Sequence, residues 1–411
     1  VGGRTVPGQY PLAPPSRLLV NTGGRFIPAG IGELPGGPEL GMVTSALWSD
    51  ADNDGWVDLL LTVEWGAVRF LRNESGKLVD KTEAALLNLR NGWWQGIAGG
   101  DVDGDGDIDY LVTNHGLNSK YKASPEKPEI IFYGDLDGSG KPHIVEAKLE
   151  GARILPRRGF SCSKNAMPSL GAKVGTFHNF ASSALGDLYT ENRLANALRL
   201  EANTLETGML INDGSAKFDW RPLPRIAQIA PGFGVVLEDM DADGDLDAVI
   251  AQNSFSPQRE TGRLDGGLGQ MLINDGSGNF SMIAPAASGI EIPGDAKSLT
   301  VADVDQNGRP DLIFGMNSAA TITYLNQGTA KTLAVTLAPG AGNPVIAGTR
   351  IQIGSEVREC YAGGGYLSQS GSTLYFSISA QARTAKVRWP DGSSSQYPIA
   401  ENTERLRLTR P

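Results

Sequence analysis

Apolar residues in the first three quarters of the chain fall in short runs, each cut off by Gly, Asn or Asp. Val43-Thr-Ser-Ala-Leu-Trp48 and Val57-Asp-Leu-Leu-Leu-Thr62 flank one Asp-rich segment, and Leu299-Thr-Val-Ala302 and Asp311-Leu-Ile-Phe314 flank another. Runs this short, rich in β-branched and large apolar residues and bounded by turn formers, predict strand, tight loop, strand. A second pair of strands follows most of these units. It is marked by Val68-Arg-Phe-Leu-Arg-Asn73, by Met209-Leu-Ile-Asn-Asp-Gly214 with Phe218, by Met271-Leu-Ile-Asn-Asp-Gly276 with Phe280, and by Ile322-Thr-Tyr-Leu-Asn-Gln-Gly328. Four strands recurring at roughly 50 to 60 residues predict the blades of a β-propeller, whose sheets bury their faces only against one another.

The fold class is therefore all-β: a seven-bladed β-propeller by strand groups, with six blades also compatible, over residues 1–330. Leu18-Leu-Val-Asn-Thr-Gly23 with Arg25-Phe-Ile reads as an orphan half unit that completes the ring by pairing with strands from the far end. Residues 166–199 break the pattern. Asp187 stands where a degenerate blade could be centred, but Phe180, Ala184, Leu188, Leu194, Ala197 and Leu198 fall at helical spacing, with Thr190 as a cap before Glu191. A helical insertion at about 151–199 is the favoured reading. Past Thr329 the Asp-rich segments stop, and five short strands within 331–411 predict a small C-terminal β domain.

The Asp-rich segments repeat one nonapeptide. Complete copies are Asp50-Ala-Asp52-Asn-Asp54-Gly55-Trp56-Val-Asp58, Asp101-Val-Asp103-Gly-Asp105-Gly106-Asp107-Ile-Asp109 and Asp239-Met-Asp241-Ala-Asp243-Gly244-Asp245-Leu-Asp247. Two copies are weaker: Asp303-Val-Asp305-Gln-Asn307-Gly308-Arg309-Pro-Asp311, and Asp135-Leu-Asp137-Gly-Ser139-Gly140-Lys141-Pro-His143, which lacks the last carboxylate. The spacing supplies side-chain oxygens at positions 1, 3, 5 and 9 and a backbone carbonyl at 7 (Trp56, Asp107, Lys141, Asp245, Arg309). Gly at position 6 allows the sharp turn. This is an oxygen-only shell suited to Ca²⁺, and four to five structural ions are expected. No Glu stands at position 12 and no flanking helices are predicted, so an EF-hand is excluded; no Cys or His joins the clusters, which disfavours soft metals.

Net charge supports bound cations. The chain of 411 residues carries a formal charge of -10, much of it in these clusters. About five divalent ions would offset it. An acidic surface excludes nucleic acid as partner, because phosphate binding needs Lys and Arg. No run of apolar residues is long enough to span a bilayer, and Val1 to Tyr10 does not read as a secretory signal. Sites of this type fill at roughly 0.1 to 1 mM Ca²⁺, so a secreted, periplasmic or cell-surface location is expected. Cys162 and Cys360 form no zinc spacing and could pair in an oxidising compartment.

Catalytic constellations are scarce. With only His115, His143 and His178 and no G-x-S-x-G elbow, a Ser-His-Asp triad has few partners. Gly363-Gly-Gly365 lacks the Lys-Ser/Thr of a phosphate loop and reads as a tight turn, and Cys360, flanked by strand residues, as a small buried side chain. The long loop 114–128, directly after a strand, is the candidate ligand surface through His115, Asn118, Lys120 and Tyr121, with Trp93 and Trp94 nearby to stack on a sugar or anchor a partner. Arg157 and Arg158 could read an acidic group.

With their following Leu-x-x-Asn-x-Gly strands, the Asp loops resemble the FG-GAP/VCBS repeats shared with the integrin α-subunit propeller, over roughly residues 18–329. Downstream, Arg358-Glu359-Cys-Tyr-Ala-Gly-Gly-Gly-Tyr-Leu-Ser-Gln-Ser370 and Arg388-Trp389-Pro390-Asp391-Gly392 resemble the ASPIC/UnbV domain of the cartilage acidic protein family and its bacterial relatives. Gly92-Trp93-Trp94 and Asn118 to Ser124 are similar to a bacterial subgroup of exported proteins. The resemblance implies a seven-bladed, calcium-bound propeller with a β cap, exported, acting in binding or adhesion, with no established reaction. Ser139, His143 and the stretch 151–199 depart from the pattern. The expected function is a calcium-stabilised scaffold recognising a protein or glycan through propeller-face loops; the alternative is an enzyme acting on a sugar or other small molecule in a pocket on that face.

Overall fold

The computed structural model describes residues 1–30, 32–338, 346–378 and 383–410. Antiparallel sheets dominate it, as the short apolar runs require, and four of them are blades. Blade one comprises Met42–Ser49, Asp58–Ala67, Arg69–Glu74 and Lys77–Asp80. Blade two comprises Ile97–Gly100, Asp109–Val112, Gly208–Asn212 and Phe218–Pro222. Blade three comprises Gly232–Glu238, Asp247–Gln252, Gln270–Asn274 and Phe280–Met282, and blade four Ala296–Ala302, Asp311–Met316 and Ile322–Tyr324. Each of the four blades carries an Asp loop between its first two strands.

Seven blades, or six, are not found among the described residues. The difference arises in blade two, whose second and third strands are adjacent in the sheet although nearly a hundred residues separate them in sequence. The intervening chain forms a separate sheet in the order Arg153–Pro156, His143–Glu150, Glu129–Gly134, Leu198–Ala202, together with five short helices between Phe160 and Ala195. The Asp135 loop therefore lies inside an insertion rather than in the arc of blades. The expected helices are present, with Phe180, Leu188 and Leu194 turned into the insertion's own core, but the insertion is larger than 151–199. Among the described residues, the N-terminal strands Leu19–Thr22 and Arg25–Pro28 pair only with each other and do not close a ring with the far end.

One amide repeats between blades. The Asn at or just past the end of the third strand donates from Nδ2 to the carbonyl of the second loop residue in the preceding blade: Asn212 to Ala51 at 2.7 Å, Asn274 to Val102 at 2.7 Å, Asn326 to Met240 at 3.0 Å. In blade one, the first of the series, Asn73 donates to Val57 of its own blade. Between blades one and two the core holds Leu47, Leu60, Phe70, Trp94, Ile97 and Tyr110, each such buried side chain contributing roughly 1.5–3 kcal/mol.

Two sheets form the C-terminal domain. Thr332–Ala338 is central in one, between Thr373–Ser377 and the parallel strand Arg405–Thr409. The other runs Glu356–Cys360, Thr349–Ile353, Thr384–Arg388, Ser394–Pro398, and Trp389, Ile351 and Val387 fill the space between the two. Cys360 lies in this core while Cys162 belongs to the insertion; both are free thiols, so the conceivable disulfide is absent.

Segment 361–370 leaves this domain and crosses the first strand of every blade. Ala362 and Gly363 pair with Trp48 and Leu47 of blade one, and Gly365 bridges Ile97 of blade two. The Tyr366 ring packs on Phe233 of blade three at 5.2 Å, and Ser368 Oγ donates to the Leu299 carbonyl of blade four. Gly363, Gly364 and Gly365 have φ of 89°, 90° and 61°, a left-handed run that side chains resist; a Cβ on Gly363 or Gly364 would crowd atoms of the neighbouring blade strands, and one on Gly365 would crowd Ser368. The triple glycine is thus neither a phosphate loop nor a simple turn but the part of the chain that threads the blades.

Candidate functional site

The four blade Asp loops lie at one end of the blades, and they share one hydrogen-bond scheme with the Asp135 loop of the insertion. Oδ2 of the first Asp accepts from the backbone N–H of the sixth residue, Gly, in all five copies: Gly55 to Asp50, Gly106 to Asp101, Gly140 to Asp135, Gly244 to Asp239 and Gly308 to Asp303, at 3.0–3.1 Å. The ninth residue is braced on both oxygens in the four blade copies. Asp58, for example, accepts from Ala51 N at 3.1 Å and Asn73 N at 2.7 Å, and Asp109 from Val102 N and Asn212 N. Position 9 therefore ties the loop to the third strand as well as facing its neighbours.

Carboxylates at positions 1, 3 and 9 converge in four loops: Asp50, Asp52 and Asp58; Asp101, Asp103 and Asp109; Asp239, Asp241 and Asp247; Asp303, Asp305 and Asp311, with candidate ligand atoms within 4.8 Å of one another in each set. Position 5 (Asp54, Asp105, Asp243, Asn307) accepts from the backbone N–H of position 7 (Trp56, Asp107, Asp245, Arg309). In the fifth loop Asp137 lies 3.6 Å from His143 Nε2 and accepts from Ser169, and Ser139 accepts from Lys141 N.

Burying several carboxylates together is unfavourable unless charge is balanced. Desolvation pushes Asp58 up to about 8, Asp109, Asp239 and Asp247 up to about 7 and Asp101 up to about 6. Asp50 Oδ1, Asp103 Oδ1 and Asp303 Oδ1 are buried with no hydrogen-bond partner among the described residues. Orphaned oxygens within an all-oxygen donor set fit a hard divalent cation. Arg72, on the third strand of blade one, pairs with Asp52 and Asp54 and adds neutralisation that the nonapeptide does not announce.

A cavity of about 580 Å³ opens at the opposite end of the blades, where first strands begin and second strands end. That volume is of the size that holds a small molecule. Trp93 forms its centre, with ring centroids 4.8 Å from Trp65, 4.6 Å from His115 and 4.8 Å from Tyr121. Trp65 has φ of 61°, an unusual conformation for a bulky residue, and its Nε1 donates to Tyr10 Oη at 2.6 Å. Two ion-paired groups face the space. Arg4 pairs with Glu64 at 2.9 Å, and Tyr10 donates to Glu64 Oε1 at 3.1 Å. On the insertion side, Arg158 pairs with Glu146 at 2.6 Å and Glu260 at 3.0 Å, and Tyr121 donates to Glu146 at 3.2 Å.

Four polar atoms on this lining have no partner among the described residues: Trp93 Nε1, Gln95 Oε1, His115 Nε2 and Glu146 Oε2. Trp93 and Gln95 are only 8% and 7% exposed, so water does not freely compensate them. Burial pushes the His115 imidazole down to about 4, so it is neutral at physiological pH, and burial pushes the Tyr121 phenol up to about 12.

Of the candidate ligand residues, Trp93, His115 and Tyr121 line the cavity. Trp94 does not; it is packed between blades one and two against Trp220. Asn118 and Lys120 are exposed and outside the lining; Asn118 donates to the Ile229 carbonyl, and Lys120 donates to the carbonyl of Glu260, which does line the cavity. Arg158 faces the cavity, whereas Arg157 pairs with buried Glu129. Arg4, Tyr10, Glu64, Trp65, Gln95, Glu146 and Glu260 were not foreseen. The available signal was positional: Glu64 and Trp65 lie toward the end of the second strand of blade one as Asn114 and His115 follow that of blade two.

Residues 50–112 match the family model described as an FG-GAP-like repeat. Residues 340–411 match the one described as ASPIC and UnbV. No curated protein matches the chain.

Proposed function

We propose that this chain is an exported, calcium-stabilised propeller scaffold that captures a saccharide unit in the aromatic cavity. Its FG-GAP-like repeat and its ASPIC and UnbV domain support a propeller scaffold of adhesion type. The observation that carries the ligand class is the set of unpartnered groups around Trp93. An indole N–H offers a donor, Gln95 Oε1 and Glu146 Oε2 offer acceptors, and neutral His115 offers one or the other according to tautomer. A ligand dense in hydroxyls, each both donor and acceptor, satisfies such a mixed set, and the aromatic rings supply apolar faces for the sugar ring. Calcium is assigned to the four converged Asp loops, held by the carboxylates at positions 1, 3 and 9 with position 5 and the position 7 carbonyl. Calcium supplies charge neutralisation and rigidity there and takes no part in the cavity.

A second reading rests on the convergence of Glu64, Glu146, Glu260 and His115 on one cavity: acids and a base placed to act on a bound sugar or other small molecule. Calorimetric titration of the full chain with a panel of mono- and oligosaccharides at millimolar Ca²⁺ tests binding. Analysis of the same mixtures for new products separates the readings. Saturable heat with an unchanged sugar supports the scaffold, and conversion supports the enzyme. An absence of both across the panel contradicts the saccharide assignment.

A further inference from the structure

The C-terminal domain sits on the Asp-loop end of the blades and grips Asp50 at three atoms. Arg388 Nη2 donates to Asp50 Oδ2 at 2.5 Å, Arg350 Nη2 donates to the Asp50 carbonyl at 2.5 Å, and the Asp50 N–H donates to Glu359 Oε1 at 3.0 Å. Together with Gly55 N–H these contacts occupy every polar atom of Asp50 except Oδ1, which is buried and without a partner. Blade four repeats the arrangement. Arg405 pairs with Asp303 Oδ2, which also accepts from Gly308 N–H, and Asp303 Oδ1 is the orphan. The domain reaches the other two loops through backbone carbonyls, Arg350 to Gly106 and Arg358 to Gly244, each at 3.4 Å.

We infer that the C-terminal domain is the outer shell of the cation sites, with Arg388 and Arg405 as positioning residues that hold the first carboxylate of loops one and four with Oδ1 free for the ion. This rests on the reading of the Asp loops as calcium sites. The physical reason is that a carboxylate fixed on one oxygen by charge-assisted donors loses the freedom to rotate away from a bound cation, and such outer partners tune affinity. By linkage, the ion must in turn favour the docked domain by the same factor. The residues involved, Arg358, Glu359 and Arg388, belong to the two motifs of the C-terminal domain, so this domain is placed by its own sequence to sense whether the loops are filled.

The test is calorimetric titration of the chelator-stripped full chain with CaCl₂, with Asp50→Asn identifying the heat of loop one. Arg388→Ala is expected to lower that site's affinity about tenfold or more while leaving the other sites within twofold, and Arg388→Lys to recover part of the loss. Arg405→Ala, at an exposed side chain, tests the same relation on loop four should the Arg388 variant fold poorly. As the reciprocal readout, EGTA should speed protease cleavage within the connecting residues 325–331 in the wild type and have a smaller effect in Arg388→Ala. Wild-type calcium isotherms in both Arg→Ala variants would falsify the inference while leaving the calcium reading intact. A wild-type chain that binds no Ca²⁺ overturns both.

Discussion

Arg388 and Asp50 lie 338 residues apart in sequence and 2.5 Å apart in space. Their contact joins the C-terminal domain to the first Asp loop, so neither can shift without the other. Most of the acidic cluster is buried with it: Asp50 and Asp58 are both fully buried. A loop of this kind is an electrostatic liability without a cation and a rigid joint with one.

Removal of calcium should therefore lower thermal stability substantially. With dissociation constants of roughly 0.1–1 mM, a few millimolar Ca²⁺ stabilises by about 1–2 kcal/mol per site, which over four sites raises Tm by on the order of 5–10 °C. Scanning calorimetry in EDTA and in CaCl₂ measures it, and coincident melting curves contradict the structural role.

The chelated protein should also have an inverted pH response. Asp58, at about 8, and Asp109 and Asp247, at about 7, hold protons in the folded state that an unfolded Asp releases near 4. Between those values the folded state binds more protons, so stability is fully present below about pH 4 and is lost as pH rises through 7 to 8. Across this carboxylate window, Tm in EDTA should fall from pH 5.5 to 8, while the increment added by Ca²⁺ grows. A chelated protein whose Tm rises over that range disagrees with burial as the cause.

Inter-blade amides make a graded prediction. Asn274→Leu strands the Val102 carbonyl and the Gly278 N–H, both bonded to the Asn side chain at 2.7 and 3.1 Å, and should cost about 2–3 kcal/mol. Asn73→Leu removes bonds made within blade one at a half-buried site and should cost about 1 kcal/mol less. Urea unfolding of the two variants compares them, and equal costs would speak against the inter-blade role.

Tyr366 connects the two ends of the molecule. It comes from the C-terminal domain, yet its hydroxyl accepts from Arg4 Nη1 at 3.0 Å, and Arg4 and Phe233 line the cavity. Tyr366→Phe should weaken saccharide binding about three- to tenfold through a less ordered Arg4, at a stability cost of about 1 kcal/mol. Titration beside a urea melt checks the pair of effects; unchanged affinity would show that Arg4 needs no support.

Local pattern explains what was legible in the sequence. The nonapeptide places Asp50, Gly55 and Asp58 in a loop whose contacts are almost all internal, so spacing alone reveals it. The helices around Phe180 and Leu188 were legible for the same reason. The blade count was not, because Asp109–Val112 pairs with Gly208–Asn212 across the insertion, and the local departures of the Asp135 loop, Ser139 and His143, do not reveal that it lies outside the arc. The cavity was half legible. Trp93, His115 and Tyr121 share one stretch of chain, whereas Arg4, Glu64, Glu146 and Glu260 meet only through tertiary packing. Trp94 shows the converse: adjacency to Trp93 suggested a shared role, but Trp94 follows the end of the strand Asn91–Trp93 and packs between the blades against Trp220.

The most direct measurement is titration of the full chain, in millimolar Ca²⁺, with a panel of mono- and oligosaccharides, alongside Gln95→Leu. This substitution removes an unpartnered acceptor on the cavity wall at little change in volume. Saturable binding of one saccharide class by the wild type, weakened tenfold or more in Gln95→Leu while Tm changes by only a few degrees, is the expected result. Equal affinity in both proteins, or no binding of any member of the panel, would contradict the assignment of the cavity as a saccharide site.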